Sequence, residues 1–389
     1  MNCLEKNNIP AGYKDSAVGI IPQEWEVKYL GDLCDNICSG SNKERNEHGK
    51  YRIYGSTGII GYSNSYSYNY PTILIARVGA NAGIINRGVG EYDVSDNTLI
   101  VCNNNIVYEY DFAYNQLTNY NLNKLVFGSG QPLVTAGQLK RIKLPIPPMG
   151  EQRKIAEILG VWDEAIEKQS RLIERLEVRK RALMQHLLTG RTRLPGFIDD
   201  VQYKKLKPFI VEKSERNTNQ TYTNVLSVTN NRGFINQAEQ FDREVASDNT
   251  ANYKLVHRGQ FAYNPSRVNV GSLDLLQTYD LGILSPMYIV FETRPTMDPK
   301  FLYYQLKSGW FVGHIPMYVQ GSVRDSLSFD GLENMKFWIP SLTEQKAIAE
   351  VLTTADDEIA THRKKLDALR LQKRGLMQQL LTGKTRVKI

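Results

Sequence analysis

The chain has 389 residues, with 48 Lys and Arg against 41 Asp and Glu, so its formal net charge is +7 at pH 7. Hydrophobic residues make up 41% and charged residues 23%, a globular composition that excludes collagen-like, low-complexity and disulfide-stapled classes. The length predicts two or three domains, and the lack of any apolar run of about 18 residues predicts that no segment spans a membrane.

Residues 1–150 begin without the apolar core of a signal peptide, and all four cysteines of the chain lie in this part. Few cysteines fit a reducing, cytoplasmic compartment better than a disulfide framework. Short apolar or alternating runs, separated by Gly-rich turns, predict strands at 70–78, 98–102 and 142–146, and a helix is predicted at 112–122. A small mixed α/β domain is therefore expected here.

Residues 151–194 differ in composition, with no Pro, Tyr or Asn, and they predict one long helix. Apolar residues recur with heptad spacing, which is typical of a coiled coil. We expect the helix to end at Gly190, because a glycine just past the last apolar residue provides the left-handed cap that helices favour.

Residues 195–343 return to the Asn-rich, Tyr-rich and turn-rich composition of the first part. Their apolar runs predict four strands and one helix, namely strands at 225–228, 260–263, 283–291 and 336–339 and a helix at 299–307. A second mixed α/β domain is therefore expected.

Residues 344–389 repeat the earlier helix. A shift of 193 positions aligns 151–194 with 344–387 without a gap, and 20 of the 44 aligned residues are identical. Both copies end in Leu-Leu-Thr-Gly, at Gly190 and Gly383. The predicted fold class is therefore mixed α/β with a pseudo-twofold internal repeat, in which a variable globular domain is followed by a long helix in each copy.

The two long helices are predicted to pair as an antiparallel coiled coil. Each apolar seam is interrupted at equivalent places, by Gln169 and His362 and by Lys180 and Lys373. Buried polar groups often determine the register of a coiled coil. The alternative is that these side chains point partly to solvent.

An antiparallel pair centred on these two polar residues would bring Lys180 beside Glu350 and Lys373 beside Glu157. The helices also hold the whole basic excess, with net charges of +3 and +4, whereas the globular parts are neutral. Basic charge alone is weak evidence for nucleic-acid binding, because a solvated helix face carries the same residues.

No motif in the chain predicts a catalytic residue or a metal ligand. Gly383-Lys384-Thr385 resembles the end of a phosphate-binding loop, but Gln378 occupies the place of the required glycine and a helix precedes it. Cys34 and Cys38 lack a second pair with which to bind zinc. The five histidines do not cluster with cysteines or carboxylates.

Segment 19–25 has the sequence Gly-Ile-Ile-Pro-Gln-Glu-Trp, and Ile-Pro precedes Glu-Gln at the start of each long helix, at Glu151-Gln152 and Glu344-Gln345. These motifs, with the two Leu-Leu-Thr-Gly helix ends, resemble the specificity subunit of type I restriction–modification enzymes. The resemblance extends over nearly the whole chain. It is specific in the helices and junctions, and loose in the globular parts.

The resemblance implies four parts, namely target recognition domain 1 at 1–150, helical spacer 1 at 151–194, target recognition domain 2 at 195–343 and helical spacer 2 at 344–389. It implies a non-catalytic subunit that binds a two-part site on double-stranded DNA, with the helices as a ruler. Its expected partners are two methyltransferase subunits, which use S-adenosylmethionine, and restriction subunits, which use ATP and Mg²⁺. The chain itself is expected to bind no cofactor.

Loops rich in Gly and Asn are the predicted DNA-contacting segments, because Asn, Gln and Arg suit base edges and Gly allows close approach. An AT-rich genome and turn formation would also account for the Asn. The predicted contacts in the first domain are Lys43, Ser56, Thr57, Arg77, Asn81, Arg87 and Gln131. Those in the second domain are Asn230, Asn231, Arg232, Tyr263, Arg267, Asn269 and Arg324.

Two other functions remain open at this point. The chain could be a non-enzymatic coiled-coil scaffold with two interaction domains, or the recognition subunit of a related restriction system that is not of type I. Binding to random duplex DNA over a series of salt concentrations distinguishes a DNA-binding protein from a scaffold.

Overall fold

A computed structural model describes residues 9–44, 46–128, 131–199, 201–237, 249–319 and 326–388. The chain forms two compact units, Met1–Ser170 with Lys364–Ile389, and Arg171–Arg363. The first unit is therefore built from two separate stretches of sequence, and each long helix is divided between the units. Within the described residues, no helix is both long and apolar enough to cross a membrane.

The first unit contains a mixture of short strands and helices. Its strands are β1 Tyr13–Lys14, β2 Ile21–Pro22, β3 Glu26–Tyr29, β4 Cys34–Ser39, β5 Tyr51–Gly55, β6 Gly58–Ser63, β7 Thr72–Ala76, β8 Ile85–Gly88, β9 Tyr92–Val94, β10 Thr98–Asn103 and β11 Lys143–Ile146. Its helices are α1 Tyr110–Tyr120, α2 Ala136–Lys140 and the first part of α3, Met149–Leu187, with single 3-10 turns at Leu30–Asp32 and Leu122–Leu125.

A four-stranded antiparallel sheet in the order β4-β10-β7-β8 forms the centre of the first unit. All five residues of β7 are buried, because both faces of the sheet are covered. Ile73 and Ile75 pack into the large core that the helices complete, and Leu74 packs on the opposite face with Tyr54 and Tyr92. This double burial explains the continuous apolar run in β7.

The second unit has the same kinds of element. Its strands are β12 Tyr203–Lys205, β13 Ile210–Lys213, β14 Leu226–Thr229, β15 Gly233–Asn236, β16 Lys254–His257, β17 Phe261–Tyr263, β18 Leu273–Leu275, β19 Leu281–Leu284, β20 Ile289–Thr293 and β21 Lys336–Trp338. Its helices are α4 Pro299–Leu306, α5 Gly309–His314, α6 Phe329–Asn334 and the first part of α7, Leu342–Leu380, with 3-10 turns at Val268–Val270 and Ile315–Met317.

The central sheet of the second unit has the order β13-β20-β17-β18 and is also antiparallel. It therefore matches the sheet of the first unit strand by strand, which confirms the predicted pair of mixed α/β domains. The single strand predicted at 283–291 is wrong. Pro286 follows Ser285, whose carbonyl accepts a turn hydrogen bond from the Tyr288 amide at 3.0 Å, and this turn separates β19 from β20.

The long helices run antiparallel within each unit, as predicted, but the two seam lysines pair with different carboxylates from those predicted. Lys180 pairs with Asp356 at 2.5 Å, and Lys373 pairs with Asp163 at 2.6 Å. The predicted partners Glu350 and Glu157 are therefore wrong by six residues, and Glu157 pairs instead with Lys154.

Apolar packing contributes more to the pairing of the two helices than the ion pairs do. In the first unit Ile155 and Leu159 of α3 join the same core as Met377 and Leu380 of α7. Burying such side chains stabilises a fold by roughly 1.5–3 kcal/mol each, whereas exposed ion pairs contribute roughly 0–1 kcal/mol. Gln169 is buried and His362 is half-buried. That these two side chains face each other across the helix pair stays a prediction.

Both predicted glycine caps are confirmed. Gly190 has φ 71° and Gly383 has φ 74°, which is the left-handed conformation that closes a helix. A Cβ added to Gly190 would lie 2.5 Å from the ring of Trp338, and a Cβ added to Gly383 would lie 2.4 Å from Pro22. Each glycine therefore both ends its helix and allows the globular part to pack closely against that end.

Candidate nucleic-acid interface

In the first unit, several predicted DNA-contacting residues lie where β4 and β7 end and β10 begins. Arg77 directly follows β7, and its Nη1 donates to Ser39 Oγ at 3.2 Å and to the Asp96 carbonyl at 3.5 Å. The Arg77 amide donates to the Asn97 carbonyl at 2.9 Å. The guanidinium is therefore held at the end of the sheet while remaining partly exposed.

The neighbouring loops are joined to this end of the sheet by backbone contacts. The Gly79 amide donates to the Pro132 carbonyl at 2.9 Å, so the loop with Asn81 lies beside the segment with exposed Gln131. The Ser95 amide donates to the Tyr54 carbonyl at 2.9 Å, just before the turn that carries the predicted contacts Ser56 and Thr57.

Lys43 lies in the same region, because the amides of Ser41 and Asn42 both donate to the Val94 carbonyl. The side chain of Lys43 is exposed. Six of the seven predicted contacts of the first unit thus belong to loops around one end of the central sheet. This arrangement is suited to contact with an extended ligand, since polar side chains and Gly-rich loops lie together on one surface.

Arg87 is the exception in the first unit. It lies in β8 and pairs with Asp111 of α1, and its guanidinium lies 3.9 Å from the ring centre of Tyr114. Burial opposes the charge, but Asp111 raises the pKa of Arg87 above its usual value. Its observed partners attach α1 to the sheet, and a DNA contact for it stays a prediction.

In the second unit, two predicted loops lie against each other at the corresponding end of the sheet. Asn230, Asn231 and Arg232 form the exposed turn between β14 and β15. An added Cβ at Gly271 would lie 2.2 Å from Asn230 Oδ1, so this turn packs on the loop that carries Asn269.

A hydrogen bond ties the same two segments together. Ser272 Oγ donates to the Val228 carbonyl at 2.8 Å, directly below the turn. Arg267 and Asn269 are exposed in the loop between β17 and β18. The loop surface of the second unit therefore corresponds to that of the first, although its residues differ.

Two predicted contacts of the second unit, Tyr263 and Arg324, do not lie in these described loops. Tyr263 is fully buried in β17, so its prediction as a DNA contact is wrong. The physical reason is that both faces of β17 are covered, with Phe261 and Tyr263 in one core and Ala262 in another. Arg324 lies outside the described residues.

An ion pair between a buried glutamate and a partly exposed arginine joins the helix to the globular part, and it was not predicted. In the first unit, Trp25 Nε1 donates to Glu151 Oε2 at 2.9 Å, and Arg386 Nε donates to Glu151 Oε1 at 2.7 Å. Glu151 is 0% exposed, and Arg386 also binds Glu24 at 2.8 Å. These bonds raise the pKa of Arg386.

The second unit has the equivalent junction. Arg193 binds both carboxylate oxygens of buried Glu344 at 2.6 Å, and its guanidinium lies 5.4 Å from the ring centre of Trp338. Arg193 and Arg386 are 193 positions apart, as are Glu151 and Glu344. The repeat therefore contained the signal for this ion pair.

The neighbouring glutamines complete both junctions in the same way. Gln152 accepts from the Glu109 amide at 2.8 Å and donates to the Pro147 carbonyl at 3.0 Å. Gln345 accepts from the Asp298 amide at 2.8 Å and donates to the Pro340 carbonyl at 2.9 Å. The repeated Glu-Gln pair thus fastens each globular part to the start of a long helix.

The two units define a duplicated binding protein. In each unit a sheet with predicted contact loops is attached to a long helix by an ion pair between a buried glutamate and an arginine. The described residues include no group of three or more His, Cys, Asp and Glu side chains placed to hold a metal ion.

The family model described as "Type I restriction modification DNA specificity domain" matches residues 22–178 and 197–371. The chain belongs to this family, and it is a DNA-recognition subunit of the type I restriction–modification class. The specificity-subunit family is non-catalytic.

Relatives of the chain carry the same designation. The MjaVIII specificity subunit of Methanocaldococcus jannaschii is 25% identical over 405 residues, which cover 95% of this chain and 94% of that protein. The EcoprrI specificity subunit of Escherichia coli is 33% identical over 159 residues, or 39% of each chain.

Solved structures show the same fold. The S subunit of a type I restriction–modification system from M. genitalium superposes with a TM-score of 0.61 and 17% identity, covering 97% of this chain and 98% of that one. A chain from a structure on assembly of the type I system gives a TM-score of 0.54 and 15% identity, covering 94% and 99%.

Proposed function

We propose that this chain recognises a two-part site on double-stranded DNA, with one unit for each half. The observation that carries this proposal is the duplication of the loop-bearing sheet, since both units have the same strand order and present their predicted contact loops at the same end. Two similar recognition modules in one chain suit two separated half-sites. The long helices would determine the gap between the halves.

The chemistry would belong to partner subunits. Two methyltransferase subunits would use S-adenosylmethionine to methylate adenine, and restriction subunits would use ATP and Mg²⁺ to cut DNA in the cytoplasm. This chain would contribute sequence choice and assembly, without a cofactor of its own. The names of its relatives, as specificity subunits of type I restriction enzymes, support this division of roles.

Methylation mapping tests the proposal directly. Genomic DNA from cells that express this chain with its methyltransferase partner should be methylated at a motif of two fixed parts separated by a fixed gap. Exchanging the loops of one unit should change one part and leave the other. Methylation at a single continuous motif would contradict the assignment of one half-site to each unit.

DNA binding by the purified chain is the complementary measurement. The logarithm of the binding constant for duplex DNA should fall linearly with the logarithm of salt concentration, because phosphate contacts release counterions. If the chain still forms the complex but exchanging its loops leaves the methylated motif unchanged, the chain is a scaffold only.

A further inference from the structure

Each unit contains a surface groove beside the end of a long helix. In the first unit the groove has a volume of about 1060 Å³ and lies between α1, β11 and the residues that follow α7. In the second unit the groove has a volume of about 510 Å³ and lies between α4, β21 and the residues that follow α3. We call these the first and second grooves.

The two grooves are built from equivalent residues. The 193-residue shift relates Leu381, Thr382 and Lys384 of the first groove to Leu188, Thr189 and Arg191 of the second. In each groove the side chain of a lining glutamine donates to a backbone carbonyl of another lining residue. Gln116 donates to the Pro145 carbonyl at 2.7 Å, and Gln305 donates to the Trp338 carbonyl at 3.1 Å.

Both grooves combine an apolar floor with basic rims. Val18 and Ile20 line the first groove and are 36% and 38% exposed, and Trp310 and Trp338 line the second. The rim cations are Arg141, Lys143 and Lys384 in the first groove and Arg181 and Arg191 in the second. Among the described lining residues of either groove there is no Asp or Glu.

We propose that the two grooves are duplicate docking sites for one acidic segment of a partner protein, so that a single chain holds two copies of that partner. Complementary charge requires carboxylates on the segment, and the apolar floor requires at least one large apolar side chain between them. A DNA backbone would match the cations but would leave the apolar floor uncovered, so protein is the better occupant.

This inference rests on the proposed function, because the methyltransferase subunit is the partner expected in two copies. Its test counts those copies. The chain is co-purified with the methyltransferase subunit, and native mass spectrometry gives the composition of the complex. Arg141→Glu/Lys384→Glu reverses the rim of the first groove, and Arg181→Glu/Arg191→Glu reverses that of the second.

Each double variant should reduce the bound methyltransferase subunits from two to one, and the combined quadruple variant should bind none. All four side chains are exposed, so the fold should survive, which thermal denaturation of the isolated chain verifies. Lys364→Glu/Lys365→Glu is the matched control, because it changes the net charge equally on exposed helix positions outside both grooves.

The outcomes distinguish failure of the proposed function from failure of the docking sites. A wild-type chain that binds no methyltransferase subunit overturns the proposed function and the docking sites together. A wild-type chain and variants that all hold two copies overturn the docking sites alone. If the control variant loses a copy, docking belongs to the helix surface and the inference is overturned. If the groove variants keep both copies but lose DNA affinity, the cations contact phosphate and the inference is likewise overturned.

Discussion

Arg386 binds both carboxylate oxygens of Glu151, at 2.7 and 3.0 Å, although 235 positions of sequence separate the two residues. Arg386→Ala should lower the free energy of unfolding by about 3 kcal/mol, because Glu151 would remain buried without its cation. Urea denaturation of the purified chain measures this loss.

Two further variants examine the cause of that loss. Lys388→Ala, two residues further on and exposed, should have little effect. Adding Glu151→Gln to Arg386→Ala should recover part of the stability, since the amide can still accept from Trp25 and carries no charge. A loss below about 1 kcal/mol in Arg386→Ala would show that the junction does not depend on this ion pair.

The register of the long helices can be measured as a coupling energy. A double-mutant cycle of Lys180→Ala and Asp356→Ala should give a coupling of about 0.5–1 kcal/mol, because these side chains are in contact and partly exposed. The same cycle with Glu350→Ala should give none. A larger coupling to Glu350 than to Asp356 would favour the register predicted from the polar seam residues.

Gly233 should tolerate substitution less well than Gly259. Both have positive φ, 61° and 88°, but an added Cβ at Gly233 would lie 1.5 Å from Asp274 Oδ2, whereas the space at Gly259 is open. Each alanine therefore costs about 1–2 kcal/mol for the left-handed backbone, and overpacking adds about 1–3 kcal/mol at Gly233. Denaturation curves of the two variants give the difference; equal losses would show that Asp274 moves aside.

Arg267 and Tyr263 should differ sharply in DNA recognition. Arg267→Ala should weaken binding by about 1–3 kcal/mol at one half-site if the guanidinium contacts a base. Tyr263→Phe should leave DNA affinity unchanged, and it should stabilise the fold by about 1 kcal/mol, because the buried hydroxyl has no hydrogen-bond partner among the described residues. Binding isotherms and denaturation curves test both; weaker DNA binding by Tyr263→Phe would contradict its burial.

Local patterns were sufficient to predict much of the fold. The heptads of α3 and α7, the caps at Gly190 and Gly383 and the strand β7 depend on residues within a few positions of one another, so their periodicity and turn chemistry are visible in the sequence. The repeat of 193 residues also predicted two equivalent domains, and the matching strand orders confirm this.

Relationships between distant residues were not predicted in the same way. The helix register depends on which apolar layers meet, and heptad spacing alone permits several alignments. Tyr263 was predicted to contact DNA because the residues that follow it form a polar loop, but it belongs to the strand before that loop, which is covered on both faces. Only the folded chain shows at which end of its own sheet each loop lies, the loop with Arg77 in the first unit and the turn with Asn230 in the second.

The discontinuity of the first unit has a consequence for biosynthesis. Arg171–Arg363 is one uninterrupted stretch, whereas the first unit also needs Met377, Leu380 and Leu381 to fill its core. On the ribosome, the second unit can therefore complete its core before the first, although its residues are synthesised later than most of the first. Until then the core around Ile155 lacks its closing layer, and the nascent first unit is the part that would need protection from aggregation.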